Sequence, residues 1–199
     1  YFRGDDENSE ASFIVREING MLNNRTPDDF AVLFRTNSQS RPVEEALARQ
    51  RIAYQVIGGV RFYERKEIKD VLAYAQFALN PDDVVAFRRI INTPARGIGD
   101  VTIGKLEHYA TREGISVWEA IDERTQFIDA TASAKRSLRM FRELILTIRE
   151  HIEHDDPPAD VIDFILKESE YLGALIREGS EESMGRIDNI RELIASAKA

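Results

Sequence analysis

The chain has 199 residues, of which 43% are hydrophobic and 31% charged, so it can bury the core of one or two domains. It contains no cysteine, which excludes a disulfide framework and a thiolate metal site, and no apolar stretch approaches the ~18 residues of a membrane helix. The formal net charge of −8 argues against a wholly basic, nucleic-acid-binding surface. Residues 1–6 lack the apolar core of a secretory signal, so we expect a cytoplasmic protein without a membrane partner.

The first part of the chain predicts an alternation of helices and strands. Apolar spacing predicts helices over residues 10–22, 40–50 and 64–79. The continuously apolar run 30–34 is typical of a buried parallel strand, and residues 52–57 predict a second one. We therefore predict an α/β segment with a partial parallel sheet that helices cover.

After a break at residues 80–83 the chain is predicted to be mainly α-helical, which divides it into domains 1–79 and 80–199. Acidic pairs at 82–83, 155–156 and 181–182 each stand at a predicted helix start, where capping of the helix and its dipole explains them better than metal ligation does. No metal site is predicted. Trp118 is expected to be a core anchor. The expected helices cover residues 84–92, 101–113, 116–123, 133–152, 158–177 and 181–197.

Phe34 and Arg35 stand at the end of the first predicted strand, where α/β sheets place ligand groups. An arginine suits a phosphate because its planar guanidinium donates two hydrogen bonds and keeps its charge. From the residues alone, a surface salt bridge remains an alternative for Arg35. Gln39 can equally contact a nucleotide or cap the helix that follows.

A double glycine at 58–59 precedes Arg61, Phe62, Tyr63 and Arg65. Aromatic rings beside arginines suit single-stranded nucleic acid, because bases stack on rings and guanidinium groups pair with phosphates. Arg61 and Arg65 are therefore candidate DNA contacts. The alternative for the two aromatic residues is packing against the following helix.

A third candidate site is the glycine-rich turn at residues 93–102, between two predicted helices. Glycines let backbone N–H groups approach a phosphate, and the N-terminus of the following helix adds its positive dipole end. An ordinary helix–helix turn is the alternative. The candidate DNA-binding residues are Arg96, Gly97, Ile98, Gly99, Thr102 and Lys105.

Three blocks together, residues 30–41, residues 57–70 and the Arg-Gly-Ile-Gly-x-x-Thr pattern at 96–102, resemble superfamily-one DNA helicases of the UvrD/PcrA/Rep type. The resemblance implies that residues 1–79 are the first piece of the RecA-like second motor domain (2A), a P-loop NTPase-type fold. It implies that residues 80–199 are most of the accessory domain (2B), with a helix-hairpin-helix-like motif that holds duplex DNA. In that family the aromatic residue at Phe34 stacks on adenine, and the arginine at Arg35 reaches the γ-phosphate as a catalytic group.

The chain contains no GxxxxGK[ST] phosphate-binding loop, so the resemblance implies a fragment of a helicase. ATP and Mg²⁺ would belong to the parent enzyme, and we expect the fragment to bind neither and to hydrolyse no ATP. The implied partners are a single-strand/duplex DNA junction, the remainder of the helicase chain and repair proteins, with three-prime to five-prime unwinding. Two other interpretations remain open: a nuclease–helicase subunit of the RecB/AddA type, and a helical protein-interaction module without DNA contact.

Overall fold

All regular secondary structure in the described residues is helical. The structure is a computed structural model that describes residues 1–35, 39–57, 61–121 and 123–198. Short 3₁₀ helices cover Pro27–Asp29, Phe62–Glu64 and Glu123–Phe127. The α-helices are α1 (Glu7–Met21), α2 (Ser40–Arg49), α3 (Lys66–Leu79), α4 (Val84–Ile90), α5 (Asp100–Glu113), α6 (Val117–Ile121), α7 (Ala132–Glu153), α8 (Pro158–Glu168), α9 (Tyr171–Glu178) and α10 (Glu181–Ala197).

The chain divides into two units, Tyr1–Arg65 and Lys66–Ala199. In the first unit α1 and α2 pack against each other. The two helices and the segment after α2 bury a small core, which consists of Val15, Ile18, Leu47 and Ile52. Phe30 and Val32, between the two helices, and Tyr54, after α2, cover this small core.

The predicted parallel sheet is absent from the described residues, so the α/β, partial RecA-like fold class is wrong for them. Residues 30–34 and 52–57 have no regular secondary structure. A strand requires its N–H and C=O groups to pair with a neighbouring strand, and these segments form no such ladder in the ranges described. Their apolar side chains are buried on one side only, since Leu33 is 93% and Ile57 79% exposed. The parts of the motifs at 36–38 and 58–60, with the double glycine, lie outside the described residues.

Helix α3 is the centre of the second unit. It packs against α4, α7, α8 and α10 because it buries a continuous apolar face. The ring of Phe77 lies 5.5 Å from that of Phe87, 6.1 Å from that of Phe141 and 5.8 Å from that of Trp118, centroid to centroid. Trp118 meets Phe77 edge to face and is half-buried, which confirms its expected packing role. Because of these contacts α3 belongs to the second unit, whereas we placed the domain boundary after it.

Two predictions about helix ends in the second unit are wrong. The stretch 158–177 is broken at Glu170, whose φ of 62° is left-handed, and this break lets the Tyr171 hydroxyl donate to Asp70 at 2.9 Å. The pair at 155–156 does not cap α8, because Asp156 pairs with His151 at 2.5 Å and Pro157 holds the N-cap position. At the other pairs, Asp83 caps α4, and Glu181 and Glu182 lie in the first turn of α10.

Replacing Gly185 with alanine is expected to stabilise the second unit by about 0.5–1 kcal/mol, because glycine in a helix interior carries an entropic cost. Gly185 lies exposed within α10, and an added Cβ would meet nothing within 4 Å. Urea unfolding would measure the shift of the midpoint. The control is Gly173→Ala in α9. The added Cβ would lie 2.8 Å from Glu170 Oε2, so this variant should gain less stability. An unchanged or lower midpoint for Gly185→Ala would contradict the prediction.

Candidate nucleotide and nucleic-acid sites

The three residues of the predicted nucleotide contact, Phe34, Arg35 and Gln39, are all exposed in the first unit. The Arg35 N–H donates to Gln39 Oε1 at 2.9 Å, so the structure brings these two residues together. The ring of Phe34 is partly open to solvent, with 39% of the residue exposed. The Arg35 guanidinium is exposed and makes no ion pair with the residues that the structure describes. An accessible ring beside a guanidinium can stack on a base and bind a phosphate.

Arg65, a predicted DNA contact, is buried inside the first unit. Only 8% of the residue is exposed. Its Nη2 donates to Ser40 Oγ at 2.9 Å, and its guanidinium carbon lies 5.1 Å from the ring centre of Phe62. The structure therefore gives Arg65 an internal role that holds the start of α2 against the Phe62–Glu64 turn.

Arg61 remains on the surface of the same unit. Its guanidinium carbon lies 5.3 Å from the ring centre of Tyr54, a cation–π arrangement that leaves the residue exposed. Tyr63 is 49% exposed, whereas Phe62 is 1% exposed. Phe62 is therefore buried within the first unit, and Arg61 and Tyr63 are left as the accessible pair.

In the second unit, residues 97–99, here called the glycine turn, precede α5. Gly97 is exposed and has a φ of +73°, which residues other than glycine, asparagine and aspartate rarely adopt. Gly99 is exposed and is the N-cap of α5. Ile98 between them is fully buried, so its side chain anchors the turn while the flanking backbone faces solvent.

The first turns of α5 add accessible donors next to the glycine turn. The first backbone N–H groups of a helix have no partner within the helix and carry its positive dipole end. The Thr102 N–H donates to Gly99 O at 2.9 Å, which tightens this first turn. Lys105, one turn further along, pairs with Asp129 at 2.6 Å and lowers the pKa of that carboxyl group by donating to it. Both side chains of this pair are exposed, 44% and 93%, so a phosphate can displace Asp129 at little cost.

The guanidinium of Arg96 points into the second unit and not towards solvent. Its Nη1 donates to the carbonyls of Ile90 at 2.8 Å and Pro94 at 3.2 Å. Its Nη2 donates to the Tyr74 hydroxyl and to the Ser169 carbonyl. The structure thus leaves Gly97, Gly99 and Lys105 exposed and Thr102 half-buried at and after the start of α5, whereas the Arg96 side chain is turned to the interior.

The comparison with known proteins decides the family. The chain matches, over residues 1–199, the family described as UvrD-like helicase C-terminal domain. It belongs to this family. It is 38% identical over its whole length to the ATP-dependent DNA helicase PcrA of Bacillus subtilis, covering 27% of that protein. It is 36% identical to PcrA of Staphylococcus aureus over 100% of the chain, and 39% identical to DNA helicase II of Haemophilus influenzae over 97% of the chain. The chain therefore spans about a quarter of the length of these relatives, 26–27%.

Two residues that were not predicted bond to the segment around the glycine turn of this UvrD-like helicase C-terminal domain. Asn92 Oδ1 accepts the N–H groups of Arg96 at 2.7 Å and Ile98 at 3.3 Å. An asparagine ahead of a proline-containing turn is a signal that could have found it, since asparagine side chains bond to nearby backbone. Tyr74, whose hydroxyl donates to Thr93 O at 2.6 Å, gives no local signal because it lies on α3.

Nowhere in residues 1–35, 39–57, 61–121 and 123–198 do three histidine, aspartate or glutamate side chains gather as a metal ion would need. In those ranges, too, every helix is too short or too polar to cross a bilayer.

Proposed function

We propose that this chain is part of an ATP-dependent DNA helicase, in which it contributes an arginine to the ATP site and a surface that holds duplex DNA. Membership of the UvrD-like helicase family supports the proposal, as do relatives described as ATP-dependent DNA helicases. We further propose a cytoplasmic protein that unwinds DNA three-prime to five-prime. ATP hydrolysis supplies the free energy for movement along DNA.

The exposed turn at Phe34 and Arg35 fits one side of a nucleotide site. Phe34 offers an accessible ring face, and Arg35 offers a guanidinium without an internal ion pair among the described residues. No GxxxxGK[ST] loop occurs in the chain, so the main phosphate and Mg²⁺ ligands must come from the rest of the protein. Arg35 would bind the terminal phosphate and stabilise the charge that develops there, while Gln39 holds the backbone of Arg35 in place.

The observation that carries the DNA-binding part is the exposed glycine turn at the N-terminus of α5. Two glycines leave the backbone open on the solvent side, and the buried Ile98 fixes the turn to the helical core. Lys105 lies on the same helix and can neutralise a second phosphate. Backbone N–H groups and a lysine bind phosphates regardless of base sequence, which suits a helicase.

Replacing Gly97 with aspartate is expected to weaken binding of a fluorescent single-strand/duplex junction by about tenfold or more, because it places a carboxylate where a phosphate should lie. Gly97→Asn is the matched control, since asparagine has nearly the same shape, tolerates the positive φ and carries no charge. Fluorescence anisotropy with the 199-residue chain would measure the dissociation constants between roughly 50 and 200 mM salt.

Strong loss for the aspartate variant with a small loss for the asparagine variant would support the glycine turn as the DNA contact. Wild-type affinity for Gly97→Asp, or no salt-dependent binding by the wild-type chain, would contradict the proposal. The second result would favour the alternative of a helical protein-interaction module.

A further inference from the structure

The last part of the connection between α4 and α5, residues 93–99, is held from inside by side chains that do not reach the surface. Its first residue, Thr93, is bonded through its carbonyl to the hydroxyl of Tyr74 at 2.6 Å. Its middle, Arg96, is bonded through its side chain to the same hydroxyl. The single hydroxyl of Tyr74 therefore donates a hydrogen bond to the Thr93 carbonyl and accepts one from Arg96, the residue just before the glycine turn.

Tyr74 is suited to this role by its burial. The residue is fully buried on α3, and burial raises the pKa of its phenol above the ordinary value, so the hydroxyl keeps its proton. The Arg96 guanidinium carbon also lies 5.7 Å from the ring centres of both Tyr74 and Phe141. The guanidinium is thus enclosed by aromatic faces as well as by acceptors.

Arg96 connects parts of the unit that are far apart in the sequence. Its hydrogen bonds reach the end of α4 at Ile90, the turn at Pro94, and Ser169 at the junction of α8 and α9. Planar guanidinium geometry serves several carbonyls at once, which an ammonium group cannot reproduce in the same positions. Losing the arginine would take one donor from each of these carbonyls, and the backbone ahead of Gly97 would lose its fixed course.

We propose that Tyr74 and Arg96 form an internal clamp that positions the glycine turn for phosphate binding, and that neither residue contacts DNA. This inference rests on the proposed DNA-binding function. The arginine of the Arg-Gly-Ile-Gly pattern then belongs to the interior of the unit. The geometry of the glycine turn depends on the hydroxyl of Tyr74 on α3. The affinity of the glycine turn for DNA is then set in part by Tyr74 and Arg96, which lie beneath it.

The test compares Tyr74→Phe, Arg96→Lys, Arg96→Ala and Gly97→Asp in the anisotropy assay. Tyr74→Phe changes no charge and no exposed atom, so the clamp predicts binding weaker by about five- to tenfold with an unchanged salt slope. Arg96→Lys keeps the charge but loses the planar set of guanidinium donors. The clamp predicts that this variant binds DNA as poorly as Arg96→Ala. A direct phosphate contact predicts the reverse: near wild-type binding for Arg96→Lys, and for Arg96→Ala a salt slope reduced by about one unit.

Amide hydrogen exchange provides a readout that general destabilisation would not reproduce. In Tyr74→Phe we expect faster exchange at the amides of Arg96 and Ile98, which donate to Asn92 Oδ1, with the protection of α7 unchanged. Wild-type affinity and wild-type exchange for Tyr74→Phe, together with loss for Gly97→Asp, would overturn the clamp alone. Wild-type affinity for Gly97→Asp would overturn the DNA-binding role of the glycine turn, and the clamp's function with it.

Discussion

Replacing Arg35 with alanine in the whole helicase is expected to lower the rate of DNA-stimulated ATP hydrolysis by about a thousandfold, the lower range for an arginine that stabilises phosphoryl transfer. The guanidinium is accessible in the first unit and makes no ion pair with the described residues, so it is available to a phosphate. The Arg35 N–H donates to Gln39, so we expect that removing the Arg35 side chain leaves this backbone contact intact. Steady-state hydrolysis at saturating ATP and DNA would measure the effect.

Two further variants make the Arg35 result specific. Arg35→Lys keeps the charge but not the planar pair of donors, so it should recover only a small part of the rate. Arg16→Ala removes another exposed arginine from the same unit, on α1, and should leave hydrolysis at the wild-type rate. A rate for Arg35→Ala within threefold of wild type would remove Arg35 from the ATP site.

Replacing Phe77 with alanine is expected to lower the free energy of unfolding of the second unit by about 3–5 kcal/mol, the usual cost of truncating a buried phenylalanine. Phe77 is fully buried on α3, and its ring contacts those of Phe87, Phe141 and Trp118. The substitution removes the shared neighbour of three rings and leaves a cavity that the helices around α3 cannot close without moving. This would be a large fraction of the stability of an ordinary domain.

Urea unfolding followed by the fluorescence of Trp118 would measure this loss, because Trp118 is the only tryptophan of the chain and contacts Phe77. The matched control is Phe127→Ala, the same substitution at a residue that is 65% exposed, which should change the free energy by less than about 0.5 kcal/mol. Equal effects of the two substitutions would show that the cluster around Phe77 is not the core of the unit.

The helical part of the prediction succeeded where the signal is local. The apolar spacing of residues 64–79 and 101–113 corresponds to α3 and α5, because these helices bury one face. The strand prediction failed because pairing depends on a neighbour and not on the run itself. Residues 30–34 are apolar throughout, yet their alternate side chains are covered by the helical core only on one side.

In the candidate sites, the positions of the glycines were predictable from the sequence, but the directions of the arginine side chains were not. The positions of Gly97 and Gly99 at the start of α5 follow from glycine's backbone freedom and from the pattern of the helix that follows. The direction of an arginine does not follow from such patterns. Arg65 and Arg96 resemble Arg61 and Lys105 in sequence context, but the first two find acceptors inside the fold and the others remain exposed.

The helical periodicity of the second unit, the glycines ahead of α5 and the resemblance to UvrD-type helicases can be read from the sequence, and the family match confirms the resemblance. Packing decides which arginines are internal, where the helix over 158–177 breaks, and which hydroxyl bonds to Thr93 and Arg96. These features give no sequence pattern because the partners are far apart in the chain: Arg96 is 73 residues from Ser169, and Tyr171 is 101 residues from Asp70. A long side chain can turn to solvent or to the interior, and the acceptors that decide between them are set by packing of distant helices.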